Sequence, residues 1–218
     1  MNNFRNKFTE LKTARGRKNS SQQWLKRQLN DPFVIRAKME GFRSRAAYKL
    51  VEIQEKFKLL KSGMNIIDLG AAPGGWSQVA APIIGKKGTI VAIDLLPFEP
   101  IVGVIQAQMD FYDESAPEQI TEMLGTKADL VMSDMAANTT GHTATDDLRI
   151  MDLCERSFDF AISVLKPGGH FVAKILRGGT ENELLAKVKQ KFSVVKHFKP
   201  KSSRADSTEI YLIAMNLK

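Results

Sequence analysis

With 218 residues, 43% of them hydrophobic, and a formal net charge of +8, the chain has the size and composition of one folded domain, not of a disordered or fibrous protein. Its single cysteine, Cys154, excludes an internal disulfide and a cysteine-built zinc site, so nothing asks for an oxidising compartment and a cytoplasmic location is expected. No apolar run reaches the roughly 18 residues that cross a bilayer, and the first residues lack the apolar core of a signal peptide, so neither a membrane nor a secreted role is expected.

The charge is unevenly spread. Residues 1–45 carry twelve Lys and Arg against Glu10, Asp31 and Glu40, a local charge of +9, while the rest of the chain sums to −1. A basic, partly flexible arm (1–43) joined to a nearly neutral domain (44–218) suits a protein whose arm neutralises the phosphates of a polyanion. Two other readings of the arm stay open. One is a solvated tail that only aids solubility; the other is an amphipathic targeting segment built on Phe4, Phe8 and Leu11.

Beyond the arm, Ala46, Leu50, Ile53 and Phe57 fall at helical spacing, so a helix capped by Ser44 is expected over Ser44–Leu60, with Lys49 at the edge of its apolar stripe. Seven apolar or β-branched runs read as strands: Asn65–Leu69, Thr89–Asp94, Val104–Gln108, Asp129–Ser133, His170–Ile175, Ser193–Phe198 and Glu209–Met215. Helical patterns over Trp76–Ile84, Asp146–Leu165 and Glu181–Phe192 separate several of them. The fold class is therefore α/β, a mostly parallel sheet with helices on both faces and an antiparallel last strand.

Ligands of such sheets bind at the carboxyl ends of the strands. The first strand runs into Asp68-Leu69-Gly70-Ala71-Ala72-Pro73-Gly74-Gly75-Trp76-Ser77, a glycine-rich turn suited to close backbone approach by a flat nucleoside cofactor. Its glycine spacing is not that of a pyrophosphate-binding dinucleotide site. Asp94 ends the second strand, where a carboxylate can accept both ribose hydroxyls, and Asp110 follows the third, within reach of an adenine edge. Gly74, Gly75, Trp76, Asp94 and Asp110 are thus the candidate cofactor residues, with Trp76 equally suited to the core. Simple turn and cap roles for each stay open one by one.

Asp134 ends the fourth strand, Lys174 lies inside the apolar fifth strand, and Glu209 opens the seventh. Burying an ionisable group is costly unless it is paired. The economical solution is that Lys49, Asp134, Lys174 and Glu209 meet at one end of the sheet; a snorkelling amine with its head in solvent stays open for Lys174, and an ordinary edge-strand carboxylate for Glu209. His142, His170 and His197 lack ligand spacing, so no metal is expected.

From about Phe33 onward, the order and spacing of these segments resemble the FtsJ-type (RrmJ-like) ribosomal RNA methyltransferases. The resemblance rests on Gly41–Leu50, Asp68–Ser77, Ile93–Pro97, Ser133–Ala136, Val172–Lys174 and Ser202–Arg204. It implies a Rossmann-like methyltransferase fold and S-adenosylmethionine held near Gly74, Trp76, Asp94, Asp110 and Asp134. It also implies a Lys49, Asp134, Lys174, Glu209 catalytic tetrad and 2′-O-methylation of a uridine in the A-loop of 23S rRNA, late in large-subunit assembly. Two features depart from the family: Ala137 stands where proline is usual, and the arm is longer. Lys174 is the expected acceptor of the hydroxyl proton if its amine is neutral; if charged, it orients the ribose oxygen instead. Arg43, Arg45, Lys199, Lys201 and Arg204 are the expected phosphate contacts. A monomer is expected. A catalytically silent RNA-binding assembly factor, a methyltransferase acting on another RNA such as tRNA, and a nicotinamide-linked oxidoreductase are the alternatives.

Overall fold

A computed structural model describes residues 19–136, 143–176 and 181–218. The first part of the basic arm, with its proposed targeting residues, and Ala137 lie outside the described residues. The remainder of the arm is helical: α1 spans Asn19–Asn30 and α2 spans Pro32–Met39. The break between them is local chemistry. Pro32 disfavours a helical residue before it and lacks an N–H, so Asp31 adopts an extended conformation (φ −73°, ψ 119°) and its carboxylate accepts the Phe33 N–H at 2.9 Å.

The chain then enters α3 (Ala46–Phe57). The helix begins two residues after Ser44, and the expected Ser44 cap does not form: Arg45 occupies the capping position, and the buried Ser44 hydroxyl has no protein partner. Lys58, in the left-handed region, ends the helix before Leu60. The remaining elements are β1 (Asn65–Leu69), α4 (Gly75–Ile84), β2 (Thr89–Asp94), β3 (Val104–Gln108), α5 (Ala116–Leu124), β4 (Ala128–Ser133), α6 (Thr143–Val164), β5 (Leu165–Leu176), α7 (Glu181–Lys191), β6 (Phe192–Phe198) and β7 (Glu209–Leu217).

The seven strands form one sheet in the order β3-β2-β1-β4-β5-β7-β6. The β7 strand alone runs against its neighbours and is inserted between β5 and β6. Alternation along the strands supplies two cores. Ile66, Ile90, Leu130 and Val172 pack under α3 and α4, while Ile67, Val91, Val131 and Phe171 pack under α5, α6 and α7. The order reverses between β1 and β4, the switch point at which open α/β sheets bind ligands. Register then aligns the strand ends. Leu69 is level with Ile93 on one side and Ser133 on the other, so Gly70, Asp94 and Asp134 emerge side by side.

One carboxylate beneath this end is unusual. Asp68, on β1, is almost fully buried; its Oδ2 accepts the Ser77 hydroxyl at 2.6 Å, and its Oδ1 has no protein partner. Burial, opposed by the Ser77 hydrogen bond and aided by the charges of Asp134 and Asp94, pushes its pKa up to about 7. The folded state then holds a proton that the unfolded chain releases near pH 4. Stability is full below the unfolded value and falls as pH rises through 7. Asp68→Asn should remove this dependence. In urea unfolding, the variant should gain on the wild type as pH goes from 5 to 8; parallel pH profiles would contradict the assignment.

Candidate active site

At the carboxyl end of β4 the chain leaves the sheet and carries Asp134 over the switch point, its side chain 14% exposed. Lys174 reaches it from the neighbouring β5. Its Nζ donates to the Asp134 carbonyl at 2.8 Å and lies 3.2 Å from Oδ1. Lys49 comes from the first turn of α3, its Nζ 3.7 Å from the same Oδ1 and 3.5 Å from Glu209 Oε2. The structure therefore gathers Lys49, Asp134, Lys174 and Glu209 into one cluster, although α3, β4, β5 and β7 are far apart in sequence.

A fifth member was absent from the sequence reading. Tyr211 donates its hydroxyl to Asp134 Oδ1 at 2.7 Å, is fully buried, and lies opposite Lys174 in the β5–β7 ladder. The signal was present: side chains two apart on a strand share a face, so Glu209 and Tyr211 point the same way once β7 is recognised. Burial pushes the Asp134 carboxyl up, but the ammonium groups of Lys174 and Lys49 and the hydrogen bonds from Tyr211 and Lys174 outweigh it, and its pKa is held below the ordinary value. Burial, reinforced by Asp134, keeps the Tyr211 phenol protonated, well above its ordinary value.

Asp134 borders a cavity of about 510 Å³ whose other walls come from the ends of β1, β2 and β3 and from α6. Asp94 lines it; its two carboxylate oxygens accept the Ala72 N–H at 2.9 Å and the Leu96 N–H at 2.8 Å. A carboxylate has about four acceptor positions, so these bonds fix its orientation without exhausting it. Asp110 also lines the cavity, held by the Tyr112 N–H at 2.9 Å. Gly70 is the glycine this wall requires: its φ is +74°, and a Cβ there would lie 2.5 Å from Met135 Cγ.

Of the expected cofactor residues, Gly74, Gly75 and Trp76 are not among those lining this cavity. A Cβ on Gly74 would lie 2.7 Å from Ile101 Cδ1, and one on Gly75 would lie 2.5 Å from Ser44 Oγ, so both glycines permit close packing of α4 against its surroundings. Trp76 is a core residue, its indole N–H donating to the Ala46 carbonyl at 2.9 Å and its ring 5.6 Å from that of Tyr211. The sequence reading missed the apolar cavity wall, including Leu95, Leu96, Met109 and Leu153. Leu95 and Leu96 gave the one available signal, an apolar pair directly after a strand end.

Lys49 and Glu209 border a second cavity, of about 360 Å³, with Arg27, Gln28, Arg45 and Arg204 around it. Of the expected phosphate contacts, Arg45 and Arg204 belong to this cleft, but Arg45 is also bound within the fold, donating to Asp31 Oδ2 and to the Ser202 carbonyl. Arg43 lies elsewhere and donates to the carbonyls of Pro73 (3.2 Å), Pro100 (2.8 Å) and Glu99. Lys199 braces the β6–β7 loop, donating to the carbonyls of Ala205 and Ser207 at 3.2 and 2.7 Å. The backbone N–H groups of Lys201 and Ser202 are held by Glu52 of α3 at 2.6 and 2.8 Å. Among the described residues, no cluster of His, Cys, Asp and Glu could hold a metal ion, and no helix is long and apolar enough to cross a membrane.

The sequence matches the model of the FtsJ-like methyltransferases over residues 42–217. It is 60% identical to the ribosomal RNA large subunit methyltransferase E of Rickettsia akari, over the whole of this chain and 98% of that protein. Identity to the protein of the same name from Rickettsia bellii is 58%, with the same coverage. Among solved structures, a ribosomal RNA methyltransferase from Plasmodium falciparum superposes with a TM-score of 0.72 at 31% identity, over 81% of this chain and 98% of that one. On the strength of these matches and of the switch-point site they accompany, the chain belongs to the FtsJ-like methyltransferase family.

Proposed function

We propose that the protein transfers the methyl group of S-adenosylmethionine to the ribose 2′-hydroxyl of a uridine in the A-loop of 23S ribosomal RNA. The observation that carries this reading is the position of the four-residue cluster. Asp134 borders the cavity that Asp94 and Asp110 line, and Lys49 and Glu209 border the basic cleft. The names carried by the Rickettsia relatives favour large-subunit RNA over tRNA.

The cavity's own groups fit the cofactor. Asp94 and Asp110, at the ends of adjacent strands, suit its ribose hydroxyls and its adenine edge. Helix α4 follows Gly74 without a side-chain cap, which leaves the main-chain N–H groups of Gly75 and Trp76 for the cofactor's carboxylate. Gly74, Gly75 and Trp76 would then act through the backbone, not through side-chain space. When bound, S-adenosylmethionine supplies a methyl already activated on a sulfonium.

What remains for the protein is to align a weakly acidic hydroxyl and remove its proton. Alignment alone supplies as much as ~7 to 11 kcal/mol in well-oriented systems. Lys174 is assigned to this step. Its Nζ is fixed by the Asp134 carbonyl: entering as a free amine it takes the proton, and the ammonium formed is neutralised by Asp134 Oδ1, 3.2 Å away; entering as the ammonium that faces Asp134, it orients the ribose oxygen while the proton leaves to water or Asp134. Lys49 keeps the carboxylate and Glu209 in place from the cleft side. Tyr211 adds a neutral donor that fixes the Asp134 rotamer.

Labelled methyl transfer to unmodified large subunits, free 23S rRNA and tRNA in parallel, followed by mapping of the modified nucleotide, tests the assignment. Label should enter a 23S uridine at the ribose oxygen; transfer to tRNA alone, or none to any RNA, would overturn it. Lys174→Ala should abolish turnover and leave cofactor affinity, read by calorimetry, nearly intact. Equal rates in the two proteins would remove Lys174 from the chemistry. If about six phosphates are neutralised, RNA affinity should fall ~10³-fold or more between 50 and 200 mM salt. A flat salt profile would refute the electrostatic argument.

A further inference from the structure

Between α1, the start of α2 and the β6–β7 loop lies a cavity of about 490 Å³ that the chemistry above leaves unused. It adjoins the substrate cleft, because Arg27, Arg45, Arg204 and Asp206 border both. Lys26, Arg27, Arg45 and Arg204 stand around it against Asp31 and Asp206, a formal surplus of positive charge.

The buried carboxylate of this cavity is already held. Asp31 Oδ1 takes the Phe33 N–H at 2.9 Å, and Oδ2 takes Arg45 and lies 3.7 Å from Arg204 Nε. Asp206 is 3.8 Å from Arg27. Donors are left over. The Ser203 hydroxyl and the Arg45 Nε–H are buried without a protein acceptor, and both residues line the cavity. Four cations around the cavity against two carboxylates ask for a group that brings acceptor oxygens and negative charge.

We propose that this cavity is a subsite for one backbone phosphodiester of the RNA, next to the nucleotide that enters the cleft at Lys49 and Glu209. The proposal rests on the RNA reading above and adds to it a location and a chemical class. A uracil base is the poorer occupant, since a neutral ring would leave the surplus of cations around the cavity without a counter-charge. Asp31 is the positioning residue of the subsite: as the cap of α2 it ties the arm helices to Arg45, four residues before Lys49, and to Arg204, five before Glu209.

The test compares wild type, Arg27→Gln and Ser203→Ala in methyl transfer to unmodified large subunits over a series of KCl concentrations. For Arg27→Gln, kcat/KM should fall about tenfold, what one charge-assisted hydrogen bond supplies. The slope of log kcat/KM against log salt should also flatten by about 0.7 to 0.9, the loss of one phosphate contact. Ser203→Ala should lose severalfold in kcat/KM with the slope unchanged. Both variants within twofold of wild type would overturn the proposal. So would a loss in Arg27→Gln at full salt slope, which is the result expected of a neutral base. Should Arg27→Gln not match the wild-type unfolding midpoint, Lys26→Gln takes its place. If wild type transfers no methyl, the functional reading fails by itself, and equilibrium binding of a 23S rRNA fragment by the same variants decides the subsite through the same slopes.

Discussion

A single carboxylate oxygen, Oδ1 of Asp134, holds together the candidate active site. It lies 3.2 Å from the Lys174 amine and 3.7 Å from that of Lys49, and it accepts the Tyr211 hydroxyl at 2.7 Å. Four elements thereby converge on one atom. In a buried environment the arrangement stands or falls as a unit: removing one partner of a buried ion pair costs about 3 to 5 kcal/mol, because the remaining charge is left unpaired. The fold contributes by bringing strands β4, β5 and β7 into adjacent register, so that residues distant in sequence meet at the switch point.

That placement also divides the labour of the surface. On one side, the ends of β1 to β4 and α6 shape the cavity suited to a nucleoside cofactor. On the other, α1, α3 and the β6–β7 loop enclose a basic cleft. The α3 helix serves both the site and its walls. Lys49 enters the cluster, Glu52 fixes the loop backbone, and Arg45, just before the helix, pairs with Asp31 at the head of α2. The arm thus borders the basic cleft through Arg27 and Gln28 of α1.

The alternation of apolar runs and the ionisable residues inside them made the fold and the tetrad legible in the sequence. A lysine in the midst of Phe171–Leu176 is too costly to bury unless it has a partner, and that constraint pointed to Asp134 and Glu209 without coordinates. What remained illegible depended on packing. Tyr211 reads as a core aromatic until the β5–β7 register sets it opposite Lys174. Gly74, Gly75 and Trp76 read as a ligand loop, yet the space their side chains command belongs to Arg43, Ser44, Ala46 and Ile101. The α1 and α2 helices were hidden by a charge pattern that suggested a tail, although Asp31-Pro32 is a cap-and-start signal that a closer reading of local chemistry recovers. Arg43 illustrates a general ambiguity: a guanidinium that suits a phosphate equally suits a cluster of loop carbonyls, and sequence does not distinguish the two.

The most direct measurement of the account is the rate of labelled methyl transfer to 23S rRNA by Asp134→Asn, taken beside its unfolding midpoint and its calorimetric affinity for S-adenosylmethionine. Replacing the shared anion by a neutral amide should cost at least about a thousandfold in rate, about 4 kcal/mol of barrier, in a protein that still folds and binds the cofactor. Transfer within tenfold of wild type by a folded Asp134→Asn would contradict the claim that this carboxylate organises the chemistry.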